Sequence, residues 1–261
     1  MTSRKLALLI TEGGSDASAL SVPIQNYLRN NGGFCVFECI VYHTDITIHS
    51  KHNITQLADC CLVMDRVSEV VNEFLSSNQN SNKYTINDIG IVMTLSDLDC
   101  CYCDSEDVIF NGHNSLTVPD FVHKKYLCND VQFIVQRNKI KVESLDILSH
   151  ETMLKIADNH VVPFRAFYFN TNLEHALYGD TAYHTLDEKM MLAKRWASLY
   201  KKDWQGFYRA LSMIPRLSDD FNESWDERKL IVASFERHSN IKLLIDWIQQ
   251  MSLSFLDSMS N

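Results

Sequence analysis

The stretch IGIVMTLSDLD, residues Ile89–Asp99, contributes most to the fold prediction for this chain. Its first seven residues form a nearly continuous apolar run, which is typical of a strand buried on both faces of a sheet. Two carboxylates, Asp97 and Asp99, follow this run and are separated by one residue. Residues two apart in an extended chain point to the same side, so we expect both carboxylates at the end of the strand.

Another acidic residue follows an apolar run near the N-terminus. The run KLALLI, Lys5–Ile10, predicts a strand, and Glu12 comes two residues after it. Two glycines and the pair Ser15-Asp16 then predict a turn and the start of a helix. Functional groups of open α/β sheets lie outside the carboxyl ends of the strands, so we expect Glu12 beside Asp97 and Asp99.

Strands and helices alternate through the first two thirds of the chain, and the last third is helical. The further predicted strands are 34–42, 89–95, 131–135 and 162–169, and the predicted helices are 16–30, 54–76, one beginning after Asn172, and 187–259 with breaks near Pro215 and Asn222. Residues 100–119 have no regular pattern. This order predicts an α/β domain over residues 1–180, with a largely parallel sheet flanked by helices. Residues 181–261 are a C-terminal helical extension that either wraps the sheet or forms a lobe.

The composition is that of a folded globular protein, with 46% hydrophobic and 22% charged residues among 261. The formal net charge of −9 argues against a protein that holds nucleic acid by bulk charge alone. It leaves open a protein that uses a bound cation, because the cation locally reverses the field of an acidic site. No secretory signal and no run of about 18 apolar residues is present, so we expect a cytoplasmic protein without a membrane segment.

Eight cysteines are present, and Cys100, Cys101 and Cys103 lie close together in the sequence. A structural zinc site normally needs a C-x₂₋₄-C pair and a second, matching pair, and no such second pair stands out. Reduced thiols are therefore the favoured interpretation, and a metal role for the cysteines is the alternative.

Three carboxylates from neighbouring strands suit a hard divalent cation, Mg²⁺ or Mn²⁺, which prefers oxygen ligands. Without a cation, the same three anions would repel one another. The alternative is that Glu12 and Asp16 only cap a helix and that Asp97 and Asp99 lie in a solvated loop. The combination of a strand–acid–Gly-Gly–helix unit with a strand–D-x-D unit favours the metal site.

Basic residues that could contact phosphate follow the strand predicted at 131–135. Arg137, Lys139 and Lys141 alternate along the sequence, so an extended segment would present all three on one face as a nucleic-acid contact. A charged edge strand is the equally good alternative. A further set of basic residues is expected to form a solvated helical face: Lys189, Lys194, Arg195, Lys201 and Lys202.

Glu12-Gly13 after one apolar strand and Asp97-Leu98-Asp99 after another resemble the Toprim fold, over roughly residues 5 to 175. The resemblance implies that Glu12, Asp97 and Asp99 bind Mg²⁺, with Glu12 also available for acid–base work. A closer likeness is to the small Toprim-like proteins of bacterial anti-phage systems, including OLD-type nucleases and the RloB group. Their late strand with an Asn and a helical Glu is similar to Asn170 and Glu174, although Thr171-Asn172 stands where the family usually has a proline.

The resemblance implies an Mg²⁺-dependent nuclease with Glu12, Asp97, Asp99 and Glu174 as catalytic residues. It further implies a substrate such as tRNA, other RNA or DNA, an ATPase partner, a role as a toxic anti-phage effector, and a homo-oligomer as one option. No nucleotide-binding G-x-x-x-x-G-K-[ST] segment occurs, so an ATPase would be another chain. Two alternatives remain open, namely a non-catalytic Toprim-like binding module and a phosphoryl-transfer enzyme that uses the same carboxylates.

Overall fold

The computed structural model describes residues 5–31, 36–44, 46–47, 63–112, 117–230 and 235–260. The strands within these ranges are β1 (Lys5–Thr11), β2 (Phe37–His43), β3 (Ile89–Asp97), β4 (Val108–Phe110), β5 (Val118–Asp120), β6 (Lys125–Cys128), β7 (Met153–Ala157) and β8 (His160–Phe169). The α-helices are α1 (Gly14–Asn30), α2 (Val63–Ser76), α3 (Val131–His150), α4 (Leu173–Tyr178), α5 (Leu186–Tyr200), α6 (Trp204–Met213), α7 (Phe221–Leu230) and α8 (Ile241–Ser260).

The main sheet has the strand order β2-β1-β3-β8-β7. β1 is parallel to β2 and to β3, and β3 is parallel to β8, whereas β7 pairs with β8 in the antiparallel sense. Four strands therefore end at one edge, which we call the carboxyl edge. The prediction of an α/β fold with a mostly parallel sheet is confirmed, and β7 makes the sheet mixed.

Burial explains why the two apolar runs form the centre of the sheet. The side chains from Leu6 to Ile10 in β1 and from Ile91 to Met93 in β3 have at most 1% of their surface exposed. Because both faces of these strands are covered, the sequence is continuously apolar and does not alternate. Polar residues follow only where the strands leave the sheet at the carboxyl edge.

The strand predicted at 131–135 is wrong, because these residues begin the long helix α3. The Asp130 side chain caps the helix by accepting a hydrogen bond from the backbone N–H of Phe133 at 2.9 Å. Buried residues then recur at helical spacing at Ile134, Lys141 and Leu145. Arg137 and Lys141 therefore lie one turn apart on α3, and the extended face expected for them does not exist.

A second, three-stranded sheet has the order β4-β6-β5 and lies between β3 and α3 in the chain. Two of its strands fall within residues 100–119, which were predicted to be irregular, so that prediction is wrong. These strands have only three residues each, which is too short for a period to be detected in the sequence. β7 was missed as well, although its buried residues alternate with exposed ones.

Three further predictions agree with the structure where residues are described. The predicted strand 34–42 corresponds to β2, the predicted helix 54–76 to α2, and the predicted strand 162–169 to β8; residues 34–35 and 54–62 lie outside the described ranges. The helical segment predicted over 187–259 is confirmed only in part. Its breaks near Pro215 and Asn222 correspond to one interruption between Met213 and Phe221, and the structure adds interruptions at 201–203 and, among the described residues, at 235–240.

The C-terminal helices pack against the main sheet and share its hydrophobic core. The indole N–H of Trp225 donates to the carbonyl of Ala166 at 3.1 Å, and the side-chain oxygen of Asn240 accepts from the N–H of Tyr168 at 2.8 Å. The C-terminal segment thus wraps the sheet at β8. Among the described residues, no helix has both the length and the hydropathy that crossing a bilayer requires.

Candidate functional site

Five carboxylate side chains lie at the carboxyl edge of the main sheet. Glu12 follows β1, Asp97 ends β3, and Asp99 lies two residues beyond it. Glu174 belongs to the first turn of α4, which follows β8, and Asp16 belongs to the first turn of α1. The structure therefore brings the four residues predicted from the sequence to one edge, and it adds Asp16, which sequence reasoning treated only as a helix cap.

The negative charge of Asp97 is poorly compensated by its surroundings. Its Oδ1 atom is buried and has no hydrogen-bond partner among the described residues. Burial raises the pKa of Asp97 well above its usual range, and the charges of Asp16, Asp99 and Glu12 raise it further against the opposing charge of Lys141. An ionised Asp97 is therefore costly here unless a cation compensates its charge.

Asp16 is 2% exposed, and its Oδ2 atom accepts a hydrogen bond from the backbone N–H of Gly13 at 2.9 Å. Burial raises the pKa of Asp16 to about 7, against the lowering effect of the Gly13 hydrogen bond and with a further raise from Glu12 and Glu174. Both Glu12, which follows β1, and Glu174, at the start of α4, raise the pKa of Asp16. Asp16 therefore lies near the carboxyl end of β1 and the N-terminal end of α4.

Glu174 reaches the cluster from the short helix α4. Asn172 caps this helix, because its side-chain oxygen accepts from the N–H of His175 at 2.9 Å. The Oε1 atom of Glu174 is buried without a hydrogen-bond partner in the described part of the chain, and its Oε2 atom lies 3.6 Å from the Nζ of Lys189. Lys189 was expected to be solvated, and the structure instead places it against a buried carboxylate.

Lys141 is fully buried and bridges two of the predicted metal ligands. Its Nζ atom lies 2.8 Å from Oδ2 of Asp99 and 3.1 Å from Oε2 of Glu12. Burial by itself would lower the pKa of Lys141, but the charges of Asp99 and Glu12 outweigh it, so the pKa is raised well above its usual range. Lys141 therefore stays protonated and supplies a permanent positive charge to the site.

The stripe predicted from Arg137, Lys139 and Lys141 is not a surface stripe. Lys141 is internal, and the half-buried Arg137 donates to the backbone oxygen of Asp99 at 3.3 Å and to the Tyr126 hydroxyl at 3.2 Å. Only Lys139 is exposed. The helical geometry of α3 causes this separation, because two residues along a helix correspond to opposite faces and four residues to one face.

The loop that carries Asp99 has an unusual backbone. Asp99 and Cys100 both have positive φ, at 47° and 56°, a conformation that costs roughly 1–2 kcal/mol per non-glycine residue. Hydrogen bonds hold the loop, because the N–H of Asp99 donates to the carbonyl of Thr171 at 3.0 Å and Arg137 donates to the Asp99 carbonyl. The strained turn fixes where the second carboxylate of the D-x-D pair points.

The donor chemistry of this edge fits a hard divalent cation. Five carboxylates face two lysines, Lys141 and Lys189, and two buried carboxylate oxygens lack hydrogen-bond partners. Within the described ranges, no three side chains of His, Cys, Asp or Glu already lie close enough to one point to hold a metal ion. Binding would therefore require side-chain adjustment, most easily by Asp99, whose side chain is 37% exposed.

The neighbouring cysteines have a different environment. The described cysteines Cys39, Cys100, Cys101, Cys103 and Cys128 are buried free thiols, and the other three lie outside the described ranges. Burial raises the pKa of Cys101 to about 12 and that of Cys103 to about 11. Because the thiolate is the reactive and metal-binding form, these groups are inert thiols in this environment.

Comparison of the chain with protein-family models, with curated proteins and with solved structures finds no match.

Proposed function

We propose that this chain is a Toprim-like, divalent-cation-dependent nuclease that hydrolyses phosphodiester bonds at the carboxylate cluster. The observation that carries the proposal is the excess of buried carboxylate at the carboxyl edge, with the Oδ1 atom of Asp97 and the Oε1 atom of Glu174 left without partners in the described structure. An orphaned buried polar atom costs about 1–3 kcal/mol, so this arrangement needs a functional reason.

A non-catalytic binding module is the less favoured alternative. Such a module requires no group of mutually repelling anions, and Asp97 and Asp16 both have pKa values raised by burial and by neighbouring carboxylates. Replacing them by uncharged residues would stabilise a pure scaffold. Retaining costly charges is typical of a site in which ligand binding compensates for them.

Glu12, Asp97 and Asp99 are the residues that would hold Mg²⁺ or Mn²⁺, with Asp16 and Glu174 beside them. When bound, the cation would polarise a phosphate oxygen and lower the pKa of a water molecule. The chain itself supplies orientation and charge. Lys141 keeps Glu12 and Asp99 at a fixed separation, Arg137 holds the Asp99 backbone, and Lys189 partly compensates Glu174.

The anti-phage role, the ATPase partner and the choice between RNA and DNA stay predictions that depend on the family resemblance. They do not enter the test of the site, which needs only the purified chain, a cation and a set of substrates.

The test is cleavage of tRNA, single-stranded RNA and plasmid DNA by the full chain with Mg²⁺ or Mn²⁺. We expect Asp97→Asn and Glu174→Gln to lower the rate by about 100-fold or more, since each removes a negative charge from the site. Asp158→Asn is the matched control, because Asp158 lies in the β7–β8 turn with its side chain 95% exposed, away from the carboxyl edge.

Cleavage that persists unchanged in Asp97→Asn would contradict the proposed site. Absence of cleavage on every substrate, together with absence of Mn²⁺ binding, would favour the binding module.

A further inference from the structure

The second half of α5 and the two residues after it carry a dense group of exposed positive charge in an acidic chain. Residues 189–202, KMMLAKRWASLYKK, contain five cations and no carboxylate, while the whole chain has a formal net charge of −9. Four of these cations lie on exposed residues: Lys194, Arg195, Lys201 and Lys202. None of the four forms an ion pair with a described residue, so their charge is available to a ligand.

Apolar side chains are exposed among these cations. Met191 is 66% exposed and Leu199 is 58% exposed, and both share the outer face of α5 with Arg195. Tyr183, just before the helix, is 57% exposed. We call this set, together with the four exposed cations, the α5 face. These side chains give the α5 face apolar contact surface beside its charges.

The first turn of α5 lies at the carboxylate cluster. Lys189, in this turn, lies 3.6 Å from Glu174, and the Met190 side chain lies beside Gly14 at the start of α1. At the far end, the Asn26 side chain of α1 donates to the carbonyl of Lys201 at 2.6 Å. α5 therefore runs alongside α1 in the same direction over roughly 18 Å, and the α5 face lies on the side of the helix that is turned away from Lys189.

We propose that the α5 face binds a single-stranded nucleic acid, and that the neighbouring part of the same strand reaches the carboxylate cluster around the first turn of α5. The cations would contact phosphates, and Tyr183, Met191 and Leu199 would contact unstacked bases. A duplex presents its phosphates but not the faces of its bases, so it would use only half of this surface. The inference deepens the proposed function, because it names the substrate class of that same site.

An anionic lipid surface is the competing ligand for a basic helix with apolar residues. The position of α5 argues for nucleic acid, because its first turn carries Lys189 beside Glu174 and the α5 face continues from Met191, two residues further along the helix. Contact with a lipid surface would not require this proximity to the carboxylates. The three exposed apolar residues on the helix, Leu186, Met191 and Leu199, also offer little area for insertion into a membrane.

The test measures binding of a fluorescein-labelled single-stranded 20-mer, as DNA and as RNA, by anisotropy in EDTA at several salt concentrations. We expect Lys194→Glu/Arg195→Glu to weaken binding at least about tenfold and to reduce the slope of log K against log salt by about two. We expect Tyr183→Ala to weaken single-strand binding about fivefold and leave duplex binding unchanged. Lys83→Glu/Lys155→Glu is the control with the same charge change at exposed sites outside α5.

Equal loss in the control and the α5 variant, or no loss in either, would overturn the proposal. Duplex binding as tight as single-strand binding, with no effect of Tyr183→Ala, would overturn the single-strand assignment. Loss of binding to phosphatidylserine vesicles, with oligonucleotide binding unchanged, would assign the face to a membrane instead. Because EDTA removes the cation, single-strand binding tests the α5 face even if the chain proves unable to hydrolyse any phosphodiester.

Discussion

Lys141 is the residue on which the electrostatics of the candidate site depend most. It is fully buried, and its ammonium group pairs with both Glu12 and Asp99. When one partner of a buried group of charges is removed, the remaining charges are left without compensation. This usually costs more stability than replacing the whole group by apolar residues. Lys141 therefore allows carboxylates to be kept together in the absence of a divalent cation.

Replacing Lys141 by Met tests this role. We expect Lys141→Met to lower the free energy of unfolding by roughly 3 kcal/mol in EDTA, measured by urea denaturation, because Glu12 and Asp99 lose their shared counter-charge. Lys139→Met is the matched control, since Lys139 is exposed on the same helix, and its effect should stay within about 0.5 kcal/mol. Equal effects of the two variants would contradict the assigned role of Lys141.

Asp16 makes the stability of the metal-free protein depend on pH. Its folded-state pKa of about 7 lies above the ordinary value of 3.8 for an aspartate, so the native state binds more protons between these values, and the Asp16 contribution to stability is lost as pH rises from about 4 to 7. Burial lowers the pKa of His175 to about 4 and that of His238 to about 3, which gives the opposite trend at lower pH. The wild-type profile alone therefore mixes the two effects.

The difference between wild type and Asp16→Asn isolates the carboxylate. In EDTA, we expect the variant to be more stable than wild type at pH 8. The difference in stability should grow between about pH 4 and pH 7, by at most about 1.4 kcal/mol per pH unit, and level off above pH 7. Urea unfolding across this range measures it, with Asp158→Asn as the control whose difference from wild type stays flat. A flat difference for Asp16→Asn would show that Asp16 ionises normally.

At the level of elements, the short helix α4 determines whether Glu174 belongs to the site. The Asn172 side chain caps α4, and Gly179 ends it in the left-handed conformation at φ 68°. A helix of six residues has little stability of its own, so its cap has a large share in holding Glu174 in place.

Replacing the cap should move Glu174. We expect Asn172→Ala to cost about 1 kcal/mol of stability and to weaken Mn²⁺ binding several-fold, because α4 frays at the turn that carries Glu174. The control is Asp203→Ala, because the Asp203 side chain caps α6 in the same way by accepting a hydrogen bond from the N–H of Gly206. This variant should lose a similar amount of stability without a change in Mn²⁺ affinity. Thermal unfolding and calorimetry measure the two quantities. Matching affinity losses in both variants would show a general effect of destabilisation.

The sequence predicted the strands that are buried on both faces, and it mispredicted α3, the helix that supplies Lys141 to the site. β1 and β3 are continuous apolar runs, and their positions follow from composition alone. The run VQFIV predicts a strand because it is short, β-branched and apolar. The helical period of α3 is hard to see because the polar residues Asn138 and Lys141 interrupt the buried face of the helix. Those polar residues are buried for electrostatic reasons that no hydrophobic period reveals. The sequence does contain one indication of a helix here, because Asp130 is a good helix cap directly before the run.

At the scale of the whole molecule, the sheet topology explains why distant residues form one site. Glu12, Asp97 and Glu174 are separated by more than 70 residues along the chain, yet each follows a parallel strand that ends at the same edge. The sequence therefore predicted this group from strand order. It could not predict Asp16 or Lys189, because a helix-capping carboxylate and a helical lysine look the same in sequence whether they are solvated or buried in a cluster.

The charge distribution of the whole chain also bears on the candidate site. The chain is acidic overall, five of its carboxylates lie together at the carboxyl edge, and a group of exposed cations lies on α5 and just after it. A polyanionic substrate would be attracted by this segment, whose first helical turn lies at the site that needs a cation.

The most direct test of the carboxylate site is calorimetric titration of Mn²⁺ into metal-free protein. We predict that wild type and Asp158→Asn bind Mn²⁺ alike, whereas Asp97→Asn and Glu174→Gln bind at least about tenfold more weakly. Absence of binding to the wild type, or equal binding to all four proteins, would contradict the claim that this cluster is a divalent-cation site.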